Sequence, residues 1–405
     1  MRLLIVSQYF WPENFRINDL ANELAHRGHE VTVLSGLPNY PGGSVFTEFL
    51  ENPTAFSTFQ NIEIFRVPLI PRGRGSVRLL LNYLSFAINA CVLGPWKLRG
   101  QKFDVVLTCQ LSPVTVGLPG AFLACIKHAP MAMWVLDLWP DTLKAIGVVK
   151  SPRLLTVVGK LVSFIYKRCD LILAQSQSFI PKIKKSGGKN IPVIYFPSWA
   201  EDVFKTHKAI PAPEVPDKDG SFSVMFAGNV GEAQDFECIL SAATLLKPHS
   251  HIRWLIVGDG RMSEWVASQI ALRGLGDQVL LLGRYPVERM PDFFAKADAM
   301  LVTLADQEIF AMTIPGKLQS YLAAGMPVIA ALDGEGADVI RLANAGFTCP
   351  AGNAVELASV VQKMSELPKS ERLAMGKNGL EFSQQAFDRK MIVDMAEKYL
   401  SELCK

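Results

Sequence analysis

Short apolar runs without alternation recur along the chain, separated by stretches of helical spacing. Leu3–Val6, Val31–Leu34, Ile62–Val67, Val105–Thr108, Met131–Leu136, Leu171–Ala174 and Val193–Tyr195 predict strands covered on both faces. Leu20, Leu24 and Ala25 predict a helix after the first run, and the turn Arg27-Gly28-His29 leads into the second. Strand, helix, strand in that order normally builds a parallel sheet. The rhythm breaks at residues 205–220, where Pro211, Pro213, Pro216 and Gly220 stand among charged residues. It resumes with strands predicted at Ser223–Ala227, Trp254–Val257, Val279–Leu282, Met300–Thr303 and Val328–Ala331. Met391, Met395 and Tyr399 set a last helical pattern. The fold class is therefore α/β. Two Rossmann-like domains are expected to face each other across a cleft, with ligands at the strand C-termini.

The chain has 405 residues, 49% of them hydrophobic and 20% charged, which suits a packed two-domain protein and excludes a disordered one. The net charge of +3 hides an asymmetry. Residues 1–200 hold 21 Lys+Arg against 11 Asp+Glu, and residues 201–405 hold 20 against 27. A basic half suggests an anionic surface or ligand. Seven scattered cysteines without a Cys-x-x-Cys pair suggest reduced thiols, no zinc site and a cytoplasmic setting. The run Leu3–Val6 is too short for a signal-peptide core. Leu79 to Trp96 is uncharged over 18 residues, flanked by Arg72, Arg74 and Arg78 and by Lys97, Arg99 and Lys102. It can be a core helix, a helix lying at a membrane interface, or a span.

Several strand ends carry candidate chemistry. Gly228-Asn229-Val230-Gly231 lies between a strand and a helical segment, where glycines let a ligand approach and a helix N-terminus favours anions; an ordinary tight turn reads the same way. Gly258-Asp259-Gly260-Arg261 offers a guanidinium for phosphate or a solvated surface residue. Pro315-Gly316-Lys317 places a cation in a first helical turn, against the helix dipole, a conflict that a bound anion would remove. Asp137, Trp139 and Asp141 follow the strand that ends near Leu136; Asp137 is a candidate acid, base or charge stabiliser, and Asp141 a candidate cap. The loop Phe10–Asn18, with Glu13, Asn14 and Arg16, has the aromatic and charged groups that recognise a polar ring.

With these residues in view, the chain resembles bacterial GT-B glycosyltransferases of the large retaining family four over essentially its whole length. The likeness runs through residues 3–36, 170–176, 193–202, 258–260, 283–285 and 323–328. It is nearest to the L-fucosamine transferase-like set of O-antigen and capsule clusters, through Gln8–Arg16, Asp137–Asp141 and Pro315–Lys317. The resemblance implies a GT-B fold: an acceptor-binding domain over 1–204, a linker over 205–220, a nucleotide-sugar domain over 221–380, and a helix over 381–405 that returns to the first domain. It implies a retaining transfer, from a UDP-sugar to a polyprenyl-diphosphate saccharide at the inner membrane face, with no metal or other cofactor. No nucleic acid is expected as a partner. The implied donor set is Gly228, Asn229, Gly231, Arg261, Arg284, Tyr285, Lys317, Ser320 and Glu335. Glu13, Asn14, Arg16, Trp139 and Asp141 would serve the acceptor, and Asp137 and Lys317 the catalysis.

There are departures. The family's Arg and Lys after the first donor-domain strand fall on Asn229 and Gln234, its Glu-x7-Glu pair falls on Met312 and Ser320, and its His before the catalytic-loop Asp is Leu136. Lys317, Arg261 and Arg284 are left to carry diphosphate charge, and Glu335 to replace a ribose contact. Two other classes fit the architecture: a non-hydrolysing UDP-sugar 2-epimerase, and a two-lobed sugar-binding module without catalysis.

Overall fold

The computed structural model describes residues 1–405 except 74, 148, 150 and 189. The chain forms two compact units, Met1–Pro197 with Lys390–Lys405, and Ser198–Arg389.

The first unit is built on an eight-stranded sheet. Its strands are β1 (Arg2–Ser7), β2 (Glu30–Gly36), β3 (Thr58–Phe59), β4 (Ile62–Val67), β5 (Val105–Gln110), β6 (Met131–Val135), β7 (Leu171–Ala174) and β8 (Val193–Tyr195), in the order β3-β4-β2-β1-β5-β6-β7-β8. All neighbours are parallel except β3 with β4. Every residue of β5, β6 and β7 is buried, which explains why these strands read as unbroken apolar runs.

The 22-residue helix Ser76–Lys97 is long and apolar enough to cross a membrane, yet one face packs on the sheet through Leu79, Asn82, Tyr83, Phe86, Ala87, Ala90 and Gly94. Asn82 fixes its depth, accepting from Gln8 Nε2 at 2.7 Å and donating to Ile70 O at 2.7 Å. The opposite face leaves Val77, Leu80, Ile88, Val92 and Trp96 exposed.

The last helix, Arg389–Leu403, belongs to the first unit from Lys390 onward. Arg27 Nη1 reaches Asp394 at 2.6 Å and Glu397 at 2.8 Å, and His29 Nε2 meets Glu397 at 2.8 Å. Its buried residues are Ile392, Val393, Ala396 and Leu400, a face turned one to two residues beyond the row Met391, Met395, Tyr399. A helical period leaves its phase open when both flanking rows are apolar.

The second unit has a six-stranded parallel sheet, β11-β10-β9-β12-β13-β14. Its strands are β9 (Phe222–Ala227), β10 (Ile252–Val257), β11 (Val279–Gly283), β12 (Ala299–Thr303), β13 (Val328–Ala331) and β14 (Gly346–Cys349). Residues 205–220 are held in this unit. Ala212 and Val215 are buried in its core, and Ala212 N–H donates to Asp292 O.

Candidate active site

In the second unit the strand order reverses between β9 and β12, so the loops that follow these two strands share one edge of the sheet. The β9 loop is pressed against the next βα loop. A Cβ on Gly258 would stand 1.8 Å from Gly228 O, and one on Gly260 2.2 Å from Val230 O. The glycines are therefore required by backbone packing, and Gly228 and Gly258 also sit at φ of 150° and 143°. Asn229 is exposed at the tip, with Gly231 behind it.

Lys317 comes into this corner from the helix Gly316–Ala323, which follows the β12 loop. Its Nζ lies 3.8 Å from the centre of the Phe226 ring and donates to Gln234 Oε1. A Cβ on Gly228 would lie 3.5 Å from the same nitrogen. Among the described residues no carboxylate pairs with it. Burial against neutral groups lowers its pKa to about 7. Gln234 stands where the resemblance puts a lysine, and Lys317 delivers an ammonium to that place from another element.

The two acids missing from the sequence pair are approached similarly. Ser320 Oγ donates to Glu201 Oε2 at 3.1 Å, so a carboxylate from the start of the unit reaches the second position. Glu335 opens the helix Glu335–Leu342, and the preceding Gly334 packs against Ala311, whose neighbour is Met312. A Cβ on Gly334 would be 2.0 Å from Ala311 O. Glu201 is not among the site residues expected from sequence; it lies in the segment of likeness 193–202, but its relation to Ser320 joins positions 119 residues apart.

The other predicted donor residues divide. Arg261 and Arg284 are exposed. Tyr285 is directed inward, its ring centre 4.5 Å from that of Phe293. One Asp-x-Asp triplet, Asp217-Lys218-Asp219, precedes β9 and so lies at the N-terminal edge of the sheet, away from Gly228. Asp217 there pairs with Lys296 at 2.6 Å.

In the first unit the order reverses at β1, which pairs with both β2 and β5. The loop after β1 holds Glu13, but Glu13 is 2% exposed and lies beneath the lip, not on it. Its carboxylate accepts backbone N–H groups of Asn39 at 2.8 Å, Tyr40 at 2.7 Å and Phe10 at 3.3 Å. Burial raises its pKa to about 7 against those hydrogen bonds. Glu13 thus positions the loop around Tyr40. Tyr9, Phe15 and Tyr40 form an aromatic wall with ring centres 5.2–5.7 Å apart, and Arg72 lies 5.3 Å over Tyr40. Asn14 is exposed and Arg16 half-buried. Arg72 faces this wall, and Arg74 lies outside the described residues.

Asp137 follows β6 and is half-buried. It accepts from Trp139 Nε1 at 3.1 Å and from Thr142 Oγ1, and Gln110 Nε2 donates to its backbone oxygen at 2.8 Å. Desolvation holds the carboxyl above the usual range despite these donors. Trp139 is buried, with its ring centre 5.9 Å from that of Tyr83. Asp141 begins the helix Asp141–Ala145 and pairs with Lys182 at 3.6 Å. Among the described residues no group of three His, Cys, Asp or Glu side chains is assembled to hold a metal ion.

Residues 211–382 match the family of group 1 glycosyl transferases. The probable glycosyltransferase WbjE of Pseudomonas aeruginosa is 27% identical over 330 residues, covering 79% of this chain and 80% of that one. The putative colanic acid biosynthesis glycosyl transferase WcaI of Escherichia coli K12 is 26% identical over 350 residues, covering 80% and 82%. Among solved structures, Anabaena HepE in complex with UDP and glucose superposes with a TM-score of 0.70 at 17% identity, covering 99% of this chain and 100% of that one. WaaG, a glycosyltransferase involved in lipopolysaccharide biosynthesis, gives 0.67 at 15% identity, with 99% of both chains covered. The two parallel-sheet units are those of the GT-B fold.

Proposed function

We propose that this group 1 glycosyltransferase, a relative of cell-surface polysaccharide enzymes, moves a sugar from a UDP-sugar to a lipid-linked saccharide with retention of configuration. We assign an N-acetylated amino sugar or deoxy sugar as the group moved, and O-antigen or capsule synthesis of the L-fucosamine transferase-like kind as its setting. The observation that carries the reading is Lys317, an ammonium without a carboxylate partner among the described residues, at a helix start beside Gly228. A diphosphate supplies the charge that this corner lacks. HepE, which superposes on the chain, was solved with UDP and glucose.

In this reading Lys317 and the start of helix Gly316–Ala323 stabilise the departing UDP. Arg261 and Arg284 add exposed charge nearby, and Glu201 on Ser320 or Glu335 holds the ribose. Preorganised dipoles and cations of this kind act where charge develops, and no metal is needed. Asp137 serves the acceptor hydroxyl, as charge stabiliser or proton acceptor; burial makes its carboxylate the stronger base. The acceptor is assigned to the unit Met1–Pro197 with Lys390–Lys405, and the donor to the unit Ser198–Arg389. No observation favours the epimerase.

The enzyme would work at the inner face of the plasma membrane, docked through the exposed face of Ser76–Lys97. That face carries Val77, Ile88, Val92 and Trp96, with Arg78 and Arg99 beside it. Two experiments test this. A panel of nucleotide sugars is screened by melting temperature, and the stabilising donor is then offered with a polyprenyl-diphosphate saccharide. Stabilisation only by non-uridine nucleotides, or hydrolysis and epimerisation without transfer, would overturn the reading. Failure of the wild type to float with anionic vesicles would overturn the docking.

A further inference from the structure

Residues 142–169 carry six Lys or Arg and no Asp or Glu. The helix Pro152–Tyr166 lies in this stretch, and a groove of about 730 Å³ opens along it. Lys160 and Phe164 line it from one face of the helix, and Lys167 and Arg168 from the turn that follows it. Leu155 and Gly159 add apolar wall and floor. A Cβ on Gly159 would meet nothing within 4 Å, so the floor is open. Pro140, from the Asp137–Asp141 loop, closes one end.

The three cations have no carboxylate partner among the described residues. Arg168 Cζ lies 3.5 Å from the Phe164 ring centre and Nη1 donates to Phe164 O at 3.0 Å, so the guanidinium is stacked and oriented. Lys167 and Arg168 also complement the C-terminal end of the helix dipole, but Lys160 sits a turn and more inside the helix, where the dipole effect has faded. Apolar wall and unneutralised cations together match an amphiphile with an anionic head. A free sugar phosphate would have no use for the wall.

The geometry points to this groove as the seat of the diphosphate and first isoprene units of a lipid-linked acceptor, delivering the attached saccharide past Pro140 to the Asp137 loop. It rests on the lipid-linked acceptor proposed above and adds where that lipid is held.

The test is calorimetric binding of geranyl diphosphate to the full chain, which needs no turnover. Lys160→Ser and Arg168→Ser are each expected to weaken it about tenfold or more, the loss of one charge-assisted hydrogen bond. Gly159→Leu should block it while leaving UDP binding intact and the melting temperature no lower than that of the wild type, because the space it fills is empty and a glycine inside a helix gains propensity on substitution. Inorganic diphosphate should bind more weakly than the geranyl ester. The proposal is overturned if the wild type does not bind geranyl diphosphate, if the variants bind like wild type, or if inorganic diphosphate binds equally well. It also falls if the serine variants lose only flotation with phosphatidylglycerol vesicles, since the cations would then serve the bilayer surface. Geranyl diphosphate binding with no sugar transfer from any donor would instead remove the donor assignment and leave the groove standing.

Discussion

Replacing Lys317 by Met keeps the aliphatic stem over Phe226 and removes the charge. Its depressed pKa has a definite stability consequence. An ordinary lysine titrates near 10.4, and each pKa unit is about 1.4 kcal/mol. With a folded pKa of about 7, Lys317 is half charged at pH 7 in the folded chain and fully charged in the unfolded one. The group therefore destabilises the ligand-free protein by roughly 4 kcal/mol at pH 7, as an upper bound. The penalty is full below pH 7 and fades as pH rises to about 10.5. Lys317→Met gives up the hydrogen bond to Gln234, worth about 1 kcal/mol, so a net gain of roughly 1–3 kcal/mol is expected.

The same substitution should weaken UDP by about 1.5–3 kcal/mol, because a charge-assisted contact to the diphosphate is lost. Denaturant melts at pH 7 and pH 10 measure the first effect, and calorimetry in two buffers of different ionisation heat measures the second. Bound diphosphate should recharge the lysine, so wild type should take up about half a proton more than Lys317→Met at pH 7 and nearly one at pH 8. The difference between the two proteins cancels the nucleotide's own titration. A variant that is less stable without ligand, with unchanged UDP affinity and no difference in proton uptake, would refute the assignment.

Asp137→Asn should lower turnover at least tenfold with UDP affinity unchanged, as expected for a group serving the acceptor; a large loss of UDP binding would move the residue to the donor side. Glu201→Gln should weaken UDP several-fold if its carboxylate meets ribose beside Ser320, and an unaltered dissociation constant would leave it a structural partner of Ser320. Glu13→Gln should cost about 1–3 kcal/mol in urea melts, because an amide N–H₂ must face one of three buried backbone donors. Activity should survive dialysis against EDTA, and restoration by magnesium or manganese would contradict a metal-free mechanism.

Much of the fold was legible because buried parallel strands leave an unmistakable signal. Ile62–Val67, Leu171–Ala174, Val193–Tyr195 and Val328–Ala331 fall where the apolar runs place them. Two strands were not foreseen. β3 is a two-residue edge pairing, and β14 is Gly346-Phe347-Thr348-Cys349, too short and too polar to stand out. Lys317 could be picked out because a cation in a first helical turn conflicts with the dipole, a conflict visible in three consecutive residues. Glu201 could not, since its value comes from Ser320, far along the chain. Glu13 misled for a related reason: a charged residue in an aromatic loop suggests a lip, whereas here it supplies the inner support for another loop.

The return of Lys390–Lys405 to the first unit makes the two units unequal as objects of construction. Ser198–Arg389 is one uninterrupted segment, so it can be excised by two cuts and asked to fold alone. The first unit is discontinuous: Arg27 and His29 have no partners at Asp394 and Glu397 until the whole second unit has been made. During synthesis, the half that starts first is the half that is finished later. An expression clone of residues 1–197 alone would lack the helix that covers these groups.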